Sequence, residues 1–350
     1  SKSYILIDQE TGQVLASQDS QQKLPPASLT KVMTAYVVFD KLKKGQLKLD
    51  DEALVSQKAW KTGGSKTFIE VGKKVKIEDL IQGMIIQSGN DAATALSEHI
   101  GGTEEAFAGM MNDYAKDLGM ENSHFMNVTG LPMDNHYTTA EDLGILAKRM
   151  ITDFPEYYKY YSMKSFTYNN ITQSSRNRLL FQDPAVDGMK TGFTNKAGYC
   201  YISSAAKNGR RLVTVVLGAE KPQKRFDDAK ILFAHGFNNY ETHRVIVKNQ
   251  VIEQLNTNVL KGEKDVVRVG AANDVLFVAE KNKKEDVSVE VNLNEMLVAP
   301  IKEGDIVGMM TIKRNEQIIG EVEVIALESV NSGDFFKVLS DSIKLYIDKI

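Results

Sequence analysis

The stretch Pro25-Pro26-Ala27-Ser28-Leu29-Thr30-Lys31-Val32-Met33-Thr34 decides how the rest of the chain is read. Proline is excluded from a helix interior but leads well into one. After the pair, Leu29, Val32, Met33, Tyr36, Val37 and Phe39 recur at helical spacing up to Gly45, which predicts a helix with Ser28 in its first turn. Unpaired N–H groups and the helix dipole favour negative charge there. Lys31, three residues on, rises from the same face and can approach the Ser28 hydroxyl. A hydroxyl becomes a good nucleophile only when a neighbouring base takes its proton, and a desolvated lysine can be that base. The same pattern also fits an N-cap serine beside a solvated lysine. A second copy, Ser204-Ala205-Ala206-Lys207, follows an apparent strand, where residues i and i+3 point to opposite faces.

The 350 residues suggest two domains with a real core. Hydrophobic content of 42% and charged content of 25% are ordinary for a globular protein. A net charge of -3 with interspersed signs gives no support for nucleic-acid binding. Cys200 is the single cysteine and the five histidines are scattered, so no zinc pattern and no metal or cofactor is expected. No run reaches transmembrane length. The sequence opens on the strand-like Ser1-Lys2-Ser3-Tyr4-Ile5, so any export signal is expected to be removed or absent.

Tyr4–Asp8 and Gln13–Ser17 flank a Thr11-Gly12 turn, a hairpin signal. Leu47 to Gly72 reads as polar and irregular, with Lys61-Thr62-Gly63-Gly64-Ser65 as loop. Ile77 to Gln87 reads as a buried helix ending at Ser88-Gly89-Asn90. Asp91 is expected to cap a helix over Ala92–Ile100 and Thr103 one over Glu104–Leu118, and Thr139 begins a helix running to about Ile151. A Tyr- and Asn-rich stretch follows to Asp183. Gly198–Ala205 and Arg211–Ala219 flank an Asn208-Gly209 turn, another hairpin signal, and Phe226–Asn238 closes the unit as a helix. Strands at both ends with helices between predict an α+β unit, an antiparallel sheet flanked by helices. From about Thr242 short strands at Val266–Val269, Val275–Val278, Val287–Leu293, Ile306–Lys313 and Ile318–Leu327 read as a small all-β domain. The expected domains are therefore 1–241, 242–331 and a terminal amphipathic helix at 332–350. Phe335, Phe336, Leu339, Ile343, Tyr346, Ile347 and Ile350 share one face of it, with Lys337, Asp341, Lys344 and Asp348 on the other. Its pattern alone fits packing on its own domain, a partner, or a membrane interface.

Three motifs stand in order: Ser28-x-x-Lys31, Ser88-Gly89-Asn90 and Lys190-Thr191-Gly192. Ser175-Arg176-Asn177, Ser329-Val330-Asn331 and Lys61-Thr62-Gly63 also fit these patterns, but their contexts differ. The trio resembles the penicillin-recognising serine acyltransferases, which comprise penicillin-binding proteins and serine β-lactamases. With Phe125-x-Asn127-x-x-Gly130-Leu131 and Asp187-Gly188-x-Lys190-Thr191-Gly192-x-Thr194, the chain is most similar to the low-molecular-mass D-alanyl-D-alanine carboxypeptidases. That resemblance implies a β-lactamase/transpeptidase-like domain, then a small β domain and a membrane-surface helix.

It further implies that Ser28 attacks the penultimate D-Ala carbonyl, with Lys31 as base. Ser88 would relay a proton to the departing D-Ala, and Asn90 would bind substrate or orient Lys31. Lys190, Thr191 and Arg225 would hold the terminal carboxylate, and the N–H groups of Ser28 and Phe193, the residue after Gly192, would form the oxyanion hole. Phe193 stands where several members have histidine, so a titratable group is missing beside the site. The implied partners are peptidoglycan stem peptides and β-lactams, and the implied location is the periplasm at the outer face of the cytoplasmic membrane. Class A β-lactamases carry a Glu-x-x-x-Asn segment for deacylation. None occurs between Asn90 and Lys190, so fast penicillin hydrolysis is not expected. Endopeptidase and transpeptidase activities share the acyl-enzyme, and a non-catalytic wall-binding or β-lactam-sensing module is the reading from another class.

Overall fold

The computed structural model describes the chain except residues 254, 256, 284–286, 295 and 348–350, and the side chains of 346 and 347. The chain divides into two compact units, Ser1–Asn238 and Asn239–Ile350.

In the first unit, β1 (Ser3–Asp8) and β2 (Val14–Gln18) precede a 3₁₀ turn at Ala27–Leu29 and helix α1 (Thr30–Lys43). Then come β3 (Glu52–Leu54), α2 (Gln57–Lys61), β4 (Lys74–Lys76), α3 (Ile77–Ile86), α4 (Asn90–Gly101), α5 (Glu104–Asp117), α6 (Ala140–Asp153) and α7 (Pro155–Tyr158). The hairpin β5 (Ser165–Tyr168) and β6 (Ile171–Ser174), the short α8 (Leu179–Gln182), β7 (Val186–Thr194), β8 (Gly198–Lys207), β9 (Arg210–Ala219) and α9 (Lys224–Asn239) complete it. The five-stranded sheet has order β2-β1-β9-β8-β7, with β1 antiparallel to β9, so the two ends of the unit share one sheet.

Alternation along the strands sorts the two faces of that sheet. Ile5, Ile7, Val213, Val215 and Leu217 join the core built by α1, α3, α4, α5 and α6. Leu6 and Leu212 turn the other way, against Gly236 of α9. The Thr103 and Thr139 side chains cap α5 and α6 by accepting from Ala106 N and Asp142 N, as their positions predict.

Several local readings are corrected. Ser28 lies in the 3₁₀ turn ahead of α1 rather than in its first α-helical turn. Leu47 to Gly72 contains β3 and α2, so Lys61 ends a helix. The Tyr- and Asn-rich stretch holds α7, the β5–β6 hairpin and α8. Asp91 is not a cap: α4 begins at Asn90, and the Asp91 carboxylate instead accepts from Thr67 N at 2.8 Å and Phe68 N at 2.9 Å.

The second unit has a four-stranded antiparallel sheet, β12 (Val269–Ala271), β17 (Gln317–Ala326), β16 (Ile306–Arg314) and β14 (Val287–Leu293) in that order. Two small sheets pair β10 (Tyr240–Ile246) with β13 (Val275–Glu280) and β11 (Val259–Leu260) with β15 (Leu297–Val298). Of the strand expected at Val266–Val269, only Val269 is in a strand. Helix α10 (Phe335–Ile347) turns its polar side inward: Asp341 is buried and accepts from Lys261 N at 2.8 Å, and Lys337 pairs with Asp265 at 2.7 Å. Phe335, Phe336, Leu339 and Ile343 stay exposed. Asp348 and Ile350, and the side chains of Tyr346 and Ile347, lie outside the described residues.

Candidate active site

The cleft of about 390 Å³ on the first unit is lined by Ser28, Ser65, Ser88, Ser175, Arg176, Arg178, Thr191, Gly192, Phe193 and Arg225. No carboxylate is among them. All nine residues singled out from sequence lie in or directly beneath this cleft, Lys31, Asn90 and Lys190 being buried under its floor.

Ser28 is presented by backbone packing. Ala27 has φ +49°, and its carbonyl accepts from the Thr30 hydroxyl at 2.9 Å. Gly130 and Gly192 admit this turn: a Cβ on Gly130 would stand 1.8 Å from Ala27 O, and one on Gly192 would stand 3.1 Å from Ser28 N. The backbone of β7 therefore runs against the amide of Ser28.

Lys31 Nζ donates to Ser28 Oγ at 3.2 Å, to Asn90 Oδ1 at 2.6 Å and to Thr129 O at 2.7 Å. Burial, then the Arg176 charge, brings its pKa down to about 7, with Asp91 pulling the other way. The two carbonyl oxygens can only accept, so they hold two N–H bonds. A neutral Lys31 then turns its lone pair toward Ser28 Oγ.

The supports are themselves ordered. Asn127 Oδ1 accepts from Gly130 N at 2.7 Å and Thr129 N at 3.1 Å, which fixes the carbonyl that Lys31 meets. Asn90 Nδ2 donates to Gly63 O at 2.6 Å, and Asn90 N donates to Ser65 O at 2.7 Å. Ser88 takes φ +68°, an uncommon conformation for a residue with a Cβ. Its buried hydroxyl has no hydrogen-bond partner among the described residues.

Charge in the cleft is one-signed. Lys190 Nζ, buried, donates to Thr191 O at 3.0 Å. Burial, then Lys31, Arg176 and Arg225, holds it well below the usual lysine range. Arg225 Nη1 donates to Gly192 O at 2.9 Å, and its buried Nε is unpartnered. Cations gathered without a lining carboxylate make a site for an anion. Phe193 is half exposed and stacks on Tyr199 with centroids 4.3 Å apart.

Sequence reasoning missed Ser175, Arg176 and Arg178, while Ser65, in the loop ahead of the Ser-Gly-Asn motif, does line the cleft. Ser175-Arg176-Asn177 had the Ser-x-Asn spacing of a decoy, yet Arg176 Nε donates to Gln87 O at 3.0 Å, directly beside Ser88. Both Ser175 and Arg176 of this motif reach the cleft, while Asn177 is buried and its Oδ1 accepts from the Tyr201 hydroxyl.

A serine in contact with a buried, low-pKa lysine, beside an anion-binding wall, defines a serine acyl-transfer hydrolase. Residues 1–221 match the family described as D-alanyl-D-alanine carboxypeptidase, and residues 240–332 match the C-terminal domain of penicillin-binding protein 5. The chain is 39% identical to D-alanyl-D-alanine carboxypeptidase DacC of Escherichia coli over 96% of its length and 85% of that protein. The structure of penicillin-binding protein 5 from Haemophilus influenzae superposes with a TM-score of 0.84 at 35% identity, covering 95% of this chain and 98% of that one. Penicillin-binding protein D2 from Listeria monocytogenes in its ampicillin-bound form matches 68% of this chain and 97% of its own at 31% identity and a TM-score of 0.63. The chain belongs to the D-alanyl-D-alanine carboxypeptidase family, as a low-molecular-mass penicillin-binding protein with serine-type DD-carboxypeptidase activity. Its fold is the penicillin-recognising fold followed by an all-β domain.

Proposed function

We propose that Ser28 is the nucleophile and Lys31 its base in removal of the terminal D-alanine from peptidoglycan pentapeptide stems. Neutral Lys31 takes the Ser28 proton as Oγ attacks the penultimate D-Ala carbonyl carbon. The oxyanion is held by the N–H groups of Ser28 and Phe193, which are already fixed before substrate arrives. The C–N bond then breaks, and the proton passes from Lys31 through Ser88 to the leaving amine. Asn90 keeps Lys31 aimed at Ser28. Water attacks the ester carbonyl as Lys31 takes its proton; the acyl–Oγ bond breaks and Lys31 returns that proton to Ser28 Oγ.

Lys190, Thr191 and Arg225 hold the terminal carboxylate, whose charge restores the Lys190 ammonium that burial disfavours. Contact between Lys31 Nζ and Ser28 Oγ at 3.2 Å, with the lysine pKa near 7, is the observation that carries this reading. It is tested by D-alanine release from a short peptide ending in D-Ala-D-Ala. Release by the native chain and none by Ser28→Ala is expected; undiminished release by the variant would overturn it. β-Lactams acylate the same Ser28, a reading supported by the ampicillin-bound Listeria relative.

The protein works at the outer face of the cytoplasmic membrane, in the periplasm, held there by α10. The outward apolar side of Phe335, Phe336, Leu339 and Ile343 supports this, since the polar side is already engaged by its own domain. Among the described residues no helix is long and apolar enough to cross a membrane. Removal of residues 334–350 is expected to abolish sedimentation with anionic vesicles while leaving peptide turnover intact; continued sedimentation would contradict the anchor.

A further inference from the structure

Arg225 is a substantially buried cation; among the described residues no carboxylate is bonded to it, and the carbonyls of Gly192 at 2.9 Å and Cys200 at 3.5 Å accept from it. Two aromatic rings flank it, and the Arg178 charge acts on it from nearby. The guanidinium carbon lies 5.4 Å from the centroid of Tyr199 and 4.8 Å from that of Phe226. Phe193 covers Tyr199 from the cleft side with rings 25° from parallel, the two being direct cross-strand partners on β7 and β8. Phe226 in turn meets Tyr201 edge-on at 5.0 Å. The arginine is therefore held by two π faces and two carbonyls, while its Nε is buried and unbonded.

We propose that Tyr199 is a positioning residue for carboxylate recognition: its ring, clamped by Phe193, aims the Arg225 guanidinium at the substrate's terminal carboxylate. This rests on the reading of Arg225 given above. A π face attracts a guanidinium without neutralising it, so the charge stays available to an incoming anion. A carboxylate in the same place would hold the arginine equally well and cancel the field that binds substrate. Phe193 gains a role beyond its backbone N–H. As an apolar ring in place of an imidazole it shields the Tyr199–Arg225 contact from water and adds no titrating charge.

The test compares kcat/KM for two peptides, one ending in D-Ala-D-Ala and one in D-Ala-D-alaninamide, which lacks the carboxylate. Arg225→Gln, the control, is expected to depress the carboxylate-to-amide ratio strongly. Tyr199→Leu is expected to lower that ratio roughly tenfold, the size of a partly desolvated cation–π contact, with amide turnover little changed. Tyr199→Phe, which keeps the π face, is expected to restore it. A purely structural role would lower both substrates together and leave the ratio fixed, which overturns the proposal. An unchanged ratio in Arg225→Gln overturns the carboxylate reading of Arg225 itself. If Tyr199→Leu does not fold, as judged by thermal melting, Tyr199→Met, which also removes the π face, carries the same prediction, and an unchanged ratio there is equally decisive against it.

Discussion

Gly130 lies against Ala27 so closely that a Cβ at Gly130 would stand 1.8 Å from the Ala27 carbonyl oxygen and 2.9 Å from Ser28 N. The nucleophile turn is thus shaped by a loop a hundred residues away in the chain, and Gly130 sits at φ +85°, where side chains are disfavoured. Gly130→Ala should push the Ser28 turn out of line. A displacement on the order of 1 Å at a reacting group costs about a hundredfold in rate. Acylation by a chromogenic β-lactam should fall by about that factor, and a rate within threefold of native would contradict this packing argument.

Asn127 acts one step further out. Its Oδ1 gathers the N–H groups of Thr129 and Gly130, and so aims Thr129 O at Lys31 Nζ. Asn127→Ala leaves these buried groups unpaired, at about 2 kcal/mol of stability. Chemical denaturation should show that loss, together with slower acylation at pH 7.

Acylation should also follow the Lys31 charge. The proposed base works when neutral, and the Lys31 pKa is about 7. The acylation rate constant at low β-lactam concentration should therefore rise about tenfold per pH unit below that value and level off above it. Phe193 supplies no imidazole to add a second limb. A flat profile between pH 5 and 8 would rule out Lys31 as the titrating base.

Asp91 couples the loop to that titration. Its carboxylate ties down Thr67, Phe68 and Ile69 through their N–H groups, and its charge raises the Lys31 pKa. Asp91→Asn should destabilise the fold by about 2 kcal/mol, as charged hydrogen bonds are lost. It should also move the acylation midpoint to lower pH, because the group favouring the ammonium is gone. A midpoint that moves upward would contradict this coupling.

What the sequence made legible was whatever rests on local spacing. Ser28 and Lys31 meet because they are three residues apart at a helix start, and Lys190-Thr191-Gly192 lies on β7 where it pairs in continuous register with β8. The joining of both ends of the first unit in one sheet followed from strands at those ends. Asp91 was misread because an acidic residue at a helix start looks like a cap, whereas all its partners but Ala92 N lie in a loop more than twenty residues earlier. Arg176 and Arg178 were invisible for the same reason. They come to the cleft only because the chain after the β5–β6 hairpin docks beside Gln87, a contact that no periodicity encodes. Helix α10 showed its two faces plainly, but not that the polar one would turn toward the β domain.

The central claim is that Ser28 carries the acyl group. Its most direct test is mass spectrometry of the intact protein and its proteolytic peptides after brief incubation with benzylpenicillin. One adduct of the antibiotic's mass on the peptide containing Ser28, absent from Ser28→Ala, is predicted. An adduct on any other residue, or one that persists in Ser28→Ala, would contradict the account.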